Sequence, residues 1–111
     1  MNEINTEAAL AALQHKPYHR FGRTVTVTAN SATIDINGKP ILPVDYLHNT
    51  ITVHDGVEVH RQWMRLTNTV LGIFHAGHLH SRQGALTLTT VPGTPAGDIP
   101  TVILPRRTAI R

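Results

Sequence analysis

Thr50–Leu66 reads TITVHDGVEVHRQWMRL, two β-branched runs on either side of Asp55-Gly56, and the rest of the chain has to fit around how that run folds. As a hairpin it has two registers. A two-residue loop pairs His54 with Val57 and sets Glu58 and His60 opposite Val53 and Ile51, so both faces mix charge with aliphatics. A three-residue loop pairs Val53 with Val57 and Ile51 with Val59. That register collects the four aliphatics on one face, with Gly56 in the left-handed position after the turn, and it is the one predicted. Beyond His60 the alternation puts Arg61, Trp63 and Arg65 on the valine side and Met64 and Leu66 on the other. A β-bulge near His60–Gln62, or a strand crossing to a second sheet, would return Met64 and Leu66 to the core.

Upstream, residues 5–14 predict a short helix. Asn5 or Thr6 caps it, Glu7 suits its positive end, AALAAL follows, and Pro17 stops it. Leu10 and Leu13 share a face, and a helix this short must dock to persist, either on its own domain or on a neighbouring subunit. RTVTVTANSATIDI, from Arg23 to Ile36, predicts a second hairpin turning at Asn30-Ser31, with Val27 opposite Ile34 and Val25 opposite Ile36. Asn37-Gly38 marks another tight turn. Pro40 and Pro43 restrict the next segment to an edge or irregular strand, and His48-Asn49 turns into the central hairpin.

Downstream, Thr67-Asn68-Thr69 reads as the turn leaving that hairpin. VLGIFHAGHLHS reads as a strand bent at Gly72 and Gly77, and ALTLTTV as a further strand. VPGTPAGDIP interrupts regular structure before a short strand at Thr101–Leu104 and the basic tail RRTAIR. The expected fold is mainly β: a single domain, 1–111, forming a small barrel or sandwich of antiparallel hairpins. It has one N-terminal helix (5–14), a β-rich body (23–91) and an extended C-terminal arm (92–111).

At 111 residues the chain suits one domain. Only 15% of it is charged, against roughly 25% in an ordinary soluble domain, so part of the surface is expected to be covered. Sheet edges with few lysines are best protected by self-association. The formal charge of +3 rests mostly on arginine, which suits forked contacts with anions, and protonating all eight histidines would bring it to +11. Without cysteine, disulfides and thiolate metal sites are excluded. No apolar run is long enough to span a bilayer, and MNEINTE lacks the features of a signal peptide, so a cytoplasmic origin with no membrane contact is expected.

Two constellations could carry chemistry. His75, His78 and His80 form the densest histidine cluster, and on a strand His78 and His80 point to one side at a spacing that suits two ligands of one metal. Gly72 to His80, a glycine followed by five residues and His-x-His, resembles the opening of the first cupin motif, which would imply a metal-binding protein. The glutamate of that motif should follow where this chain has Gly84 or Ala85. The second motif is echoed only by Pro95-Ala96-Gly97, with Pro100 at its histidine position. The other constellation is a cationic, aromatic stripe of Arg61, Trp63 and Arg65, extended by His19, Arg20 and Arg23. It suits an anionic ligand or single-stranded nucleic acid, or else Trp63 fills the end of the core beneath arginine stems.

HExxH, Gly-x-Ser-x-Gly, phosphate loops and dinucleotide fingerprints are missing, so no cofactor and no enzymatic activity are expected. The expectation is a non-enzymatic structural or assembly subunit of a homo-oligomer or larger complex, with a virion or phage-like component as its concrete form. A basic module binding nucleic acid or another anion is the alternative, and a cupin-like metal-binding protein the third.

Overall fold

The computed structural model describes residues 3–83, 85–90 and 99–105. Helix α1 (Glu3–Leu13) is followed by strands β1 (Tyr18–Arg20), β2 (Arg23–Val27), β3 (Ser31–Ile36), β4 (Lys39–Asp45) and β5 (Thr50–Thr52). A 3-10 turn (Val57–Val59) leads into helix α2 (Arg61–Ile73), then β6 (His78–Arg82), β7 (Ala85–Thr89) and β8 (Thr101–Ile103). The six-stranded sheet runs β1-β2-β3-β4-β5-β8, and β6-β7 forms a separate two-stranded ribbon. Strand is the larger share, as expected, but the architecture is mixed α and β with two helices, and among the described residues the sheet forms no closed barrel, which corrects the barrel expected from the sequence.

The central hairpin is the main correction. Only Thr50–Thr52 is strand, and the segment that was to return as its partner becomes the 3-10 turn and α2. Leu66, Thr67, Val70 and Leu71 are all fully buried, a stripe with the helical repeat that continues through the expected turn at Thr67–Thr69. Burying that stripe outweighs the short β-branched alternation before it. Val59, expected on the apolar face, is 74% exposed. β5 pairs instead with β4 on one side and, in parallel, with β8 on the other, Ile51 opposite Val102. The strand expected across Gly72 is likewise the end of α2, and β6 starts only after Gly77.

Local turn chemistry reads better. Asn37 and Gly38 have φ of 51° and 84° and join β3 to β4, as predicted. The β2–β3 hairpin exists but sits two residues away from the expected register, with Val25 opposite Ile34 and Val27 opposite Ala32. Thr28 sets that register. Its Oγ1 accepts the Asn30 and Ser31 amides at 3.3 and 3.1 Å, while its own amide donates to the Ser31 carbonyl at 2.8 Å. A shift of two keeps the same residues inside.

In β4 a bulge opposite Ile34/Asp35 leaves both Ile41 and Leu42 fully buried. β5 pairs only with Val44 and Asp45, so Pro40 and Pro43 lie where β4 has β3 alone beside it.

Ala32, Ile34, Ile36, Leu42, Val44 and Ile51 form the buried side of the sheet and share one core with both helices; α1 lies on β1–β3, and α2 packs on α1 and β6. α1 is the predicted helix, but its alanines face inward: Ala8, Ala9 and Ala12 are fully buried, which lets the two helices approach closely, while Leu10 and Leu13 remain 38% and 42% exposed. Asn5 does not cap it. It lies within the first turn, 4% exposed, and accepts a hydrogen bond from Arg23 Nε at 2.8 Å. Among the described residues no helix is long and apolar enough to cross a membrane. The expected proline-rich loop at 91–98 and the tail at 106–111 lie outside the described residues.

Candidate anion site between helix α2 and strand β6

Arg61 and Arg65, one helical turn apart, lie on the same side of α2 and line an open groove of about 570 Å³. His78 and His80 project from the other wall. β6 alternates exposed His78, buried Leu79 and exposed His80, and the two imidazole centroids lie 4.7 Å apart.

One residue joins the walls. The Asn68 side-chain amide donates through Nδ2 to the Leu79 carbonyl at 3.1 Å, and its Oδ1 accepts the Leu79 amide at 2.6 Å. The amide thereby satisfies both backbone groups of Leu79, as a neighbouring strand would. Because Leu79 lies between the two histidines, that clamp holds both imidazoles over the helix face bearing the arginines. Leu79 is 2% exposed and packs into the core, anchoring the strand from its other side. Gly77, just before β6, lets β7 close against it: its φ is 130°, and a Cβ there would stand 2.5 Å from the Thr89 carbonyl oxygen of β7.

The groove holds two guanidiniums and two imidazoles, with Glu58 as its carboxylate. Asn68 and Ser81 complete a lining rich in donors. Arginine forks and imidazole N–H groups converging from two elements favour an oxyanion.

The expected stripe is divided. Trp63 lies two residues from Arg61 and Arg65 on the helix, so it faces another way. His60 stacks on the indole at 3.7 Å, His54 meets it edge-on at 4.8 Å, and Lys39 Nζ lies 5.8 Å from its ring centroid. Trp63 is thus engaged by its own chain.

Arg20 and Arg23 sit at the β1–β2 end of the sheet and are bound by α1. Arg20 pairs with Glu7 at 3.3 Å and lies over Phe21, while Arg23 holds Asn5. The Tyr18 hydroxyl donates to the same Glu7 carboxylate at 2.5 Å. That bond, with help from Arg20, holds the Glu7 carboxyl below its ordinary value, while burial and then Glu7 push the Tyr18 phenol up.

The histidine cluster is divided too. His78 and His80 share the groove as expected, whereas His75 follows α2 with φ of 60° and lines a different cavity. Among the described residues no three histidine, aspartate or glutamate side chains come together in a way that could hold a metal ion. Asn68, read from sequence as part of a turn, is the site residue that reasoning missed. Its signal was the helical stripe around it, which would have placed it on the Arg61/Arg65 side of α2. The chain matches no known protein family, no characterised protein and no solved structure.

Proposed function

We propose that this protein is a binding module for an anionic, phosphate-bearing ligand, held in the groove between α2 and β6. The observation that carries this reading is the convergence of Arg61 and Arg65 with His78 and His80 across the Asn68–Leu79 clamp. Arginine supplies planar, permanently charged forks. Histidine adds donors whose charge rises as pH falls. Each charge-assisted hydrogen bond is worth about 1.5–3 kcal/mol, so one from each arginine contributes about 3–6 kcal/mol, less the screening that exposed side chains undergo.

Calorimetric titration with inorganic pyrophosphate and with a short single-stranded oligonucleotide, at low and high salt, tests the reading. Arg61→Ala/Arg65→Ala is expected to weaken binding by about a hundredfold with folding retained, since both side chains are exposed. Binding unchanged in that variant sinks the proposal. Preference for the oligonucleotide, with a steep salt dependence, identifies nucleic acid as the ligand.

A second reading, a non-enzymatic subunit of a homo-oligomer or larger assembly such as a virion, is supported by the exposure of Phe21 (70%) and Leu47 (67%). The sheet ends, β1 and β8, each pair on one side only among the described strands. It implies synthesis in the cytoplasm followed by incorporation into the larger particle. Light scattering after size exclusion tests it: a discrete oligomer insensitive to salt supports assembly, and a monomer at all concentrations removes it.

A further inference from the structure

A second cavity, of about 370 Å³, lies at the opposite ends of the helices, where the C-termini of α1 and α2 meet the β4–β5 turn. Its lining is unlike that of the α2–β6 groove. Among the described residues no lysine, arginine, aspartate or glutamate lines it, and its walls include the aromatic rings of Tyr46, Phe74, His15 and His75. Tyr46 is fixed from two directions: its hydroxyl donates to the Ala12 carbonyl at 2.5 Å, and its ring stacks on His15 with centroids 3.6 Å apart. Burial raises the Tyr46 phenol above its ordinary value, so the ring is uncharged at neutral pH.

Backbone strain concentrates here. Six described residues other than glycine have positive φ, and three of them, His15 (58°), Asn49 (54°) and His75 (60°), line this one cavity. Both histidines occupy the left-handed position just past a helix, where glycine is the low-strain choice. The two helix ends are built alike. The Lys16 amide donates to the Ala11 carbonyl at 2.8 Å and His15 to Ala12 at 3.2 Å, and Ala76 donates to Leu71 at 2.7 Å and His75 to Gly72 at 3.1 Å. Two separate segments thus place an imidazole, rather than glycine, at the same unfavourable backbone position beside the same cavity. Strain that gathers at one place marks it as a site with a use.

The field selects the ligand. A helix C-terminus carries about half a negative charge, and neither α1 nor α2 has a basic residue in its last turn to offset it. Lys16 follows His15 but does not line the cavity. Hydrogen bonds satisfy most of the last carbonyls and temper that charge, but the helix dipoles still bias the cavity toward negative potential, and the surrounding rings offer π-faces that attract cations. An anion would meet two helix C-termini without a guanidinium or ammonium to hold it.

We infer that this cavity binds a small organic cation, an ammonium group on an apolar or aromatic body, between the C-termini of α1 and α2. The site is independent of the α2–β6 groove. His15 and His75 complete its aromatic wall, at the expense of backbone strain that glycine would relieve.

The test titrates the full chain with phenyltrimethylammonium, with benzoate and benzyl alcohol as anionic and neutral counterparts. Saturation is followed through the ring resonances of His15, His75 and Tyr46 at a pH where both imidazoles are neutral. The cation is expected to saturate in the millimolar range or below, about tenfold more tightly than either counterpart. Benzoate or benzyl alcohol binding as tightly as the cation, or no saturable shift with the cation, overturns the inference. His75→Gly is expected to raise the thermal midpoint by a few degrees and to weaken the cation about tenfold. Unchanged affinity in that variant, or no gain in stability, also overturns it.

Discussion

Replacing Asn68 by alanine removes the amide that joins α2 to β6, and the loss can be worked from the structure. Two hydrogen bonds disappear, at 2.6 and 3.1 Å, each worth about 1 kcal/mol net. Leu79 is 2% exposed, so its amide and carbonyl lose their partner where water has little access, and an unsatisfied group costs about 1–3 kcal/mol. With both groups orphaned, the expected destabilisation is about 2–6 kcal/mol, or roughly 10 °C or more in Tm for a chain of this size. The damage should be local before it is global. β6 and β7 form their own two-stranded ribbon, so loss of the clamp loosens that ribbon against α2 while the main sheet stays paired.

Urea denaturation measures the global loss, and amide exchange at Leu79 measures the local one. Exchange there should accelerate about thirtyfold or more, 1.4 kcal/mol being a factor of ten. Anion affinity at the groove should fall in parallel, although Asn68→Ala removes no charge, because His78 and His80 lose their fixed position over Arg61 and Arg65. A variant within about 0.5 kcal/mol of the parent, with unchanged exchange at Leu79, would show that the clamp does not position the strand.

Three further outcomes follow from the same structure. Gly77→Ala forces a side chain into a left-handed backbone position and against the Thr89 carbonyl oxygen, so it should cost about 2–4 kcal/mol by urea denaturation, and an equally stable variant would contradict the packing of β6 on β7. Thr67 is fully buried in α2 with no hydrogen-bond partner for its hydroxyl among the described residues, so Thr67→Val should raise stability by about 1 kcal/mol, and a loss instead would reveal a partner for that hydroxyl. Two carboxyls are held below their ordinary values, Glu7 chiefly by the Tyr18 hydroxyl and Asp45 chiefly by the His48 side chain. A carboxyl depressed in the folded state stabilises it above its unfolded pKa and loses that contribution as pH falls through the folded value. Stability should therefore drop below about pH 4.5, and Glu7→Gln/Asp45→Asn should flatten that drop in a urea series from pH 7 to about pH 3; an unaltered slope would remove both groups from the account.

Where a structural choice is made by neighbours in the chain, it was legible in the sequence. α1 stops before Pro17, Asn37-Gly38 turns β3 into β4, and His48-Asn49 turns β4 toward β5, because each depends on the backbone preferences of adjacent residues. The pairing of His78 with His80 was legible for the same reason, since alternation along a strand needs no partner. The segment from Val57 to Ile73 was not settled locally. Its first residues alternate like a strand while Leu66, Val70 and Leu71 repeat like a helix, and only burial against α1 and the sheet decides for the helix.

That decision has wide consequences. It removes the expected partner of β5, which then pairs in parallel with β8 from the far end of the chain. It also turns Trp63 away from Arg61 and Arg65, and brings Asn68 against Leu79. Sequence alone determined a cysteine-free, arginine-biased chain rich in strand, with a docked N-terminal helix and paired histidines on one strand. Tertiary structure decided which cations share a groove and which histidine leaves it, because those juxtapositions come from packing between elements distant in sequence, where no local preference operates.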